Sequence, residues 1–353
     1  MRLVEIDKLL GNEIIAKDIV CKSGVVLLKS QSQYRLSYKE KLQEYNISYV
    51  YVDDALSQGI EPVSIVDENK RKILTNDLIE SINVSKTSLN INMQSIKEIV
   101  NSLLEEIAGK NMIYDIMNIK RNDEDIYEHS LGVAITSLIL AVKMGLKMEL
   151  IKDIVMGCLL HDIGKLFVPK EILNKKETLM PHEYEILKEH PQIGYQVIKE
   201  DPHLSAVAKV IILCHHERED GSGYPLKKGE DLHIGAKIVA CCDVFNAIVS
   251  DRPYRPGVPL NEAVLLLRKE RLNQEVRETL ESIINFYPVG SAVLLSNRLI
   301  GLVEKNYMGD LQRPTLRIVI DGDNYITTPY RFELSKHPEV RIMQKLGNLP
   351  PRK

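Results

Sequence analysis

At 353 residues the chain has room for two or three domains, and 44% apolar residues is the ordinary content of a globular protein. A formal net charge of −3 gives no basic field for duplex nucleic acid, and no run approaches the roughly 20 apolar residues of a membrane span. Glu5, Asp7 and Lys8 interrupt the N-terminus before an apolar segment forms, which argues against a signal peptide, and Cys21, Cys158, Cys214, Cys241 and Cys242 show no CxxC spacing and read as free core thiols of a reducing, cytoplasmic compartment.

In chain order, residues 1–60 read as a small α+β domain. Apolar runs at 14–20 and 25–28 flank the turn signal Lys22-Ser23-Gly24, residues 37–45 suit a helix, and 49–52 suit a returning strand. No ionisable cluster is visible there, and a regulatory or oligomeric role is expected. Residues 61–112 follow a Gly59/Pro62 break. Ile73, Leu78, Ile79 and Ile82, then Ile96, Ile99, Val100, Leu103 and Leu104, recur at three- and four-residue spacings. This helical connector would pack on the next domain or pair two copies of the chain as a homodimer. Residues 113–286 are almost wholly helical by pattern, with helices expected over 133–142, 151–160, 181–198, 205–215, 234–248 and 260–266. Residues 287–353 change to short β-type runs at 291–295, 299–303, 316–320 and 325–327, a C-terminal β-rich appendage. The fold class expected is therefore mainly α: an all-helical domain with a small mixed domain before it and a small β appendage after it.

Every candidate ligand lies in the helical block. His161 and Asp162 end an apolar helix; neighbours on a helix point about 100° apart, yet at a helix end both can converge on one cluster with the carboxylate between two metals. Gly164 lets the chain turn, and Lys165, four residues after His161, shares its face. His215 and His216 end the apolar run 207–213, where core packing does not explain two adjacent imidazoles. His129 follows Asp125 by four residues, on one helical face. His190 precedes Pro191 at the end of a Glu/Lys-rich helix. Asp243 lies inside the otherwise apolar Ala-Cys-Cys-Asp-Val-Phe, where a carboxylate needs a partner. Imidazole and carboxylate without thiolate suit iron or manganese as readily as zinc. Two metals about 3.5–4 Å apart clamp the oxygens of an in-line phosphoryl displacement and supply a bridging hydroxide. No Ser-His or Cys-His pairing points to a protein nucleophile.

These residues carry a resemblance. Residues 113–286 resemble an HD-GYP domain, the helical metal-dependent branch of the HD phosphohydrolases. The match runs through His129, His161-Asp162 with Lys165, His190, His215-His216, Gly223-Tyr224-Pro225, Asp243 and the Ser-Asp-Arg-Pro-Tyr-Arg run at 250–255. The resemblance implies a phosphodiesterase that hydrolyses cyclic di-GMP to pGpG, with onward cleavage to GMP left open. It implies one metal held by His129, His161, Asp162 and Asp243, and a second that shares Asp162 and adds His190, His215 and His216. Asp125 would help hold a third, and the metal would be iron with manganese as substitute. It further implies Asp162 and Lys165 in catalysis, Lys165 on phosphate charge or the leaving oxygen, and Arg252 and Arg255 on the second phosphate. Tyr224 would stack on guanine or meet a protein partner at the Gly-Tyr-Pro loop. Asn246 departs from the aspartate common in relatives, a change expected to bear on the substrate pocket rather than the metals. Residues 1–55 resemble, less specifically, a small domain found ahead of such modules. Two other readings stay open: a cyclic di-GMP receptor without turnover, and a phosphodiesterase for another cyclic dinucleotide such as cyclic GMP-AMP. The motifs read metals and phosphates, not bases.

Overall fold

Alternating runs near both ends of the chain and helical runs between them fold apart from one another. The computed structural model describes residues 1–21, 25–45, 47–62, 66–84, 89–107, 126–175, 177–250, 257–307 and 309–351. Two compact units result, one from residues 1–64 together with 284–353, the other from residues 65–283.

The first unit opens with β1 (Arg2–Glu5), β2 (Ile14–Ile15), β3 (Ile19–Val20), β4 (Val26–Leu28), α1 (Lys39–Glu44) and β5 (Tyr49–Asp53). β5 lies between β1 and β2, antiparallel to both, with Val4 opposite Val50 and Ile15 opposite Val52. The expected strand over 14–20 is two short strands in different sheets: β2 joins β5, whereas β3 pairs with β4. Asp18 between them turns its carboxylate to the Ser30 N–H at 2.7 Å, a side-chain bond that competes with a continuous ladder. Val4, Ile15, Tyr34, Leu42, Val50 and Val52 form the core beneath.

The second unit contains α2 (Glu68–Ser81), β6 (Ile82–Val84), β7 (Leu89–Ile91), α3 (Met93–Ile107), α4 (Ile126–Lys143), α5 (Met148–Leu160), α6 (Lys170–Leu173), α7 (Pro181–Lys188), α8 (His190–Ile198), α9 (Ala206–Cys214), α10 (Ile234–Val249), α11 (Leu260–Leu267) and α12 (Gln274–Ile283). α4 is its axis. Every residue from Ser130 to Ala141 is buried, and α2, α5, α10 and α12 surround it. Among the described residues α4 is the one helix long and apolar enough to cross a membrane; here that surface is spent on the bundle. The apolar stripe of α3 (Met93, Ile96, Ile99, Val100, Leu103, Ile107) is likewise buried within the unit, against α2, α4 and α5. On α2, Leu74 and Leu78 face inward while Ile73 and Ile79 are exposed.

The helix expected over 181–198 breaks at Glu189 into α7 and α8. Pro191 has no N–H for the Leu187 carbonyl, so the hydrogen-bond ladder cannot run through this point. The break places His190 at the head of a new helix.

The chain then returns to the first unit with β8 (Ala292–Leu295), β9 (Leu299–Lys305), β10 (Thr315–Asp321), β11 (Asn324–Glu333) and β12 (Ile342–Leu346), an antiparallel sheet in the order β11-β10-β9-β8-β12. Read from sequence, 1–60 and 287–353 look like separate pieces; in the structure they share a core. Ile60 packs with Ala292, Ile300, Leu302 and Ile320. Leu3 N–H donates to Gly290 O at 2.9 Å, Glu5 N–H to Gly347 O at 2.8 Å, and the Arg317 guanidinium to Gln58 O at 2.6 Å.

Candidate metal centre

The last four carbonyls of a helix have no partner inside it, and three histidines of this chain exploit that. α5 ends at Leu160, and His161 turns Nδ1 back to Cys158 O at 2.7 Å. α9 ends at Cys214, and His215 turns Nδ1 to Ile212 O at 3.0 Å. α7 ends at Lys188, and His190 Nδ1 reaches Leu187 O, the carbonyl orphaned by Pro191, at 2.7 Å. A carbonyl only accepts, so each Nδ1 carries a proton and Nε2 is the ring atom left for a ligand.

Those Nε2 atoms converge. His190 Nε2 and His215 Nε2 are 3.2 Å apart. Asp162 lies among them, buried, with its two oxygens facing different groups. Oδ1 is 3.3 Å from His190 Nε2 and 3.7 Å from His215 Nε2. Oδ2 is 3.3 Å from His161 Nε2 and 3.6 Å from His129 Nε2. His129, on α4, meets Asp243 Oδ1 of α10 at 3.0 Å, and His216 Nδ1 is 3.8 Å from Asp243 Oδ2. Two ligand sets follow, Asp162-His190-His215-His216 and His129-His161-Asp243, the ligand atoms of each within 4.8 Å of one another.

The donor set fits cations. His161 Nε2 and Asp162 Oδ1 are buried and make no hydrogen bond of good geometry, which is costly unless something positive meets them. Burial alone would raise the Asp162 carboxyl, but His161 and Lys165 reverse this and hold it well below the usual carboxylate range. Asp243 is lowered in the same way, burial being outweighed by His129 and His216. Burial pushes His190 and His216 down and His215 to about 4, so these rings are neutral near pH 7 and ready to ligate. The C-terminal ends of α5 and α9 also point negative potential at the cluster.

Around it, Lys165 Nζ donates to Asp162 Oδ2 at 2.6 Å. Gly164 lets the 3₁₀ turn Ile163–Phe167 lie against α8: a Cβ there would stand 1.9 Å from His190 O. The Tyr224 ring stacks on His216 with centroids 4.7 Å apart and planes 26° apart, and its N–H donates to His216 O at 3.2 Å. Burial, and after it the neighbouring Tyr184, pushes the Tyr224 phenol up. Glu217, which the sequence reading passed over, is 1% exposed and accepts the N–H groups of Leu226, Lys227 and Lys228 at 2.5, 2.9 and 3.2 Å. It anchors the loop that carries Tyr224; the signal was a carboxylate placed directly before a turn-rich segment. Asn246 is buried away from the ligands, its amide donating to Thr136 Oγ1 at 2.9 Å and Cys242 O at 2.8 Å, so it joins α10 to α4. Asp125, Arg252 and Arg255 lie outside the described residues.

Residues 111–276 match the HD domain family. Over 235 residues the chain is 32% identical to a cyclic di-GMP phosphodiesterase of Pseudomonas aeruginosa, covering 64% of this chain and 57% of that one. A cyclic di-GMP phosphodiesterase of Thermotoga maritima is 37% identical over 155 residues, 43% of this chain and 42% of its own. A 3'3'-cGAMP-specific phosphodiesterase of Vibrio cholerae is 36% identical over 160 residues, 42% of this chain and 36% of its own. The chain thus spans about half the length of the curated relatives it matches. Among solved structures, an HDG"Y"P protein from Bdellovibrio bacteriovorus superposes with a TM-score of 0.52 at 18% identity, covering 80% of this chain and 98% of that one, a likeness of fold.

Proposed function

We propose, for a chain that belongs to the HD-domain family and carries its HD-GYP motif, that it is a metal-dependent phosphodiesterase acting on cyclic di-GMP. The observation that carries this is the Asp162 carboxylate, whose two oxygens face two separate sets of imidazoles. His129, His161 and Asp243 with Asp162 Oδ2 would hold one cation, and His190, His215 and His216 with Asp162 Oδ1 the other. Bound divalent cations supply a water nucleophile at neutral pH and offset the charge of the phosphodiester. The protein's own contribution is to keep His190, His215 and His216 uncharged by burial and, through the Nδ1–carbonyl bonds of His161, His190 and His215, to leave Nε2 as the atom that faces the cluster. Lys165, tied to Asp162 and partly exposed, would meet a phosphate oxygen or the leaving oxygen. Tyr224, stacked on His216, would meet the substrate beside the metal ligands. Asp125 as a further ligand and Arg252 and Arg255 as phosphate contacts belong to the same proposal, as does iron, with manganese as substitute. The buried free thiols of Cys158, Cys214, Cys241 and Cys242 support a reducing, cytoplasmic setting.

Anaerobic turnover tests this reading. Protein loaded with Fe(II) or Mn(II) is expected to convert cyclic di-GMP to pGpG or GMP, a chelator to stop it, and His161→Ala with Asp162→Ala to lower the rate at least about hundredfold. Intact nucleotide with fully metallated protein would sink the hydrolase reading in favour of a receptor.

A further inference from the structure

The ligand sets account for metals and phosphate, which every cyclic dinucleotide presents alike. Nothing in them selects a base. Beside them, on α7, a second constellation has no part in holding metal. Tyr184 and Lys188 are one turn apart on the helix that delivers His190. Lys188 Nζ stands 5.3 Å from the Tyr184 ring centroid and 5.5 Å from that of Tyr224. Tyr224 in turn lies 4.7 Å from the His216 ring. From the metal ligands outward the order is therefore imidazole, phenol ring, ammonium, phenol ring.

As an internal brace this arrangement gains little. An exposed cation–π contact contributes about 0.5–1 kcal/mol, while holding a lysine in one rotamer gives up entropy of similar size. The pairing of Lys188 with Glu185 at 2.9 Å is exposed and of the kind that contributes about 0–1 kcal/mol. Tyr184 is 47% exposed and Leu226, just past the Tyr224-Pro225 bond, 42% exposed. An apolar and aromatic surface next to a polar centre gains most when a flat ligand covers it. A nucleobase is such a ligand, and stacking on an aromatic side chain contributes about 1–3 kcal/mol per base. An ammonium held over these rings and within reach of a bound base also discriminates: guanine presents two acceptors, O6 and N7, where adenine presents N7 and an amino donor that repels another donor.

We infer that Tyr184 and Lys188 form a guanine subsite, Tyr184 carrying the face of the base and Lys188 its O6/N7 edge. The inference rests on the cyclic dinucleotide reading above and adds to it the side chains that choose the base. Lys188 is then a specificity residue rather than a phosphate contact.

The test compares cyclic di-GMP with cyclic di-AMP on the full chain loaded with Mn(II). Lys188→Met is expected to reduce the KM preference for the guanine dinucleotide about tenfold, and Lys188→Arg to keep it, because a guanidinium also reaches O6 and N7. Tyr184→Leu is expected to raise both KM values about tenfold, the loss of one stacking contact. An unchanged preference in Lys188→Met, or an equal loss for both nucleotides as a phosphate contact would give, overturns the subsite. If the unaltered protein cleaves neither nucleotide, the hydrolase reading fails separately, and the same preference is read from calorimetric dissociation constants: loss in Lys188→Met supports the subsite and no change overturns it.

Discussion

Burial of three imidazoles, His190, His215 and His216, makes the centre sensitive to acid in a defined direction. His215 ionises near pH 6.5 in an unfolded chain and near 4 in the fold, because burial disfavours its cation. Between those values the unfolded state binds more protons, so stability is complete above about pH 6.5 and is lost as pH falls toward 4. The loss from His215 alone is on the order of 3 kcal/mol. His190 and His216 shift in the same direction and add to it. Asp162 and Asp243, with carboxyls held low, contribute stability above the ordinary carboxylate value that is lost only in more acid solution. Thermal melting in chelator should therefore drop steeply between pH 7 and 5, and a flat profile would show that these rings are not held neutral by burial. At this scale much was legible, since His161, Asp162, His215 and His216 stand at the ends of apolar helices where charge and lone pairs have no packing use, and His190 stands beside the proline that ends a Glu/Lys-rich one. Glu217 was not, because a glutamate in a polar loop looks like solvated surface until the backbone folds around it.

Helix ends supply most of the candidate ligands, and only His129 and Asp243 stand within helices, α4 and α10. α5, α7 and α9 stop where their last carbonyls are taken by histidine, and each stop is followed by a turn that carries the next ligand or the next helix. Gly164 is the tightest of these joints. In a Gly164→Ala variant the new methyl would meet the His190 carbonyl, a backbone atom that cannot rotate away, so α8 must shift and His190 with it. We expect metal content to fall by at least about half and melting to drop by several degrees, the usual result of overpacking by one methyl where about 1–3 kcal/mol is lost. Full metal occupancy in that variant would show that α8 is less tightly placed than the distances indicate. The helix series is readable from periodicity, but the division of 181–198 is not, because the three- and four-residue apolar spacing runs on past Pro191 while the hydrogen-bond ladder stops there.

At the scale of the whole molecule, the strands at the two ends of the chain are one structure. Ile60 on one side and Ile300, Leu302 and Ile320 on the other close a common core. Ile60→Asp should therefore strip hydrogen-exchange protection from β8, β9 and β10, since a buried unpaired carboxylate is among the costliest single changes. If those strands kept their protection, the two ends would be independent pieces. No local pattern could reveal this partnership: periodicity reports which face of a strand is buried, and is silent on which distant segment buries it. The helical unit is thus an insertion, continuous in sequence and bracketed by halves of another body. During synthesis roughly 220 residues of helical unit emerge between those halves, and at about 5–20 residues per second the first half waits some ten to forty-five seconds for its counterpart. On a ribosome the helical unit can close before the strand-rich unit whose first half precedes it in the message, leaving β1–β5 as the segment that a chaperone would meet unfinished.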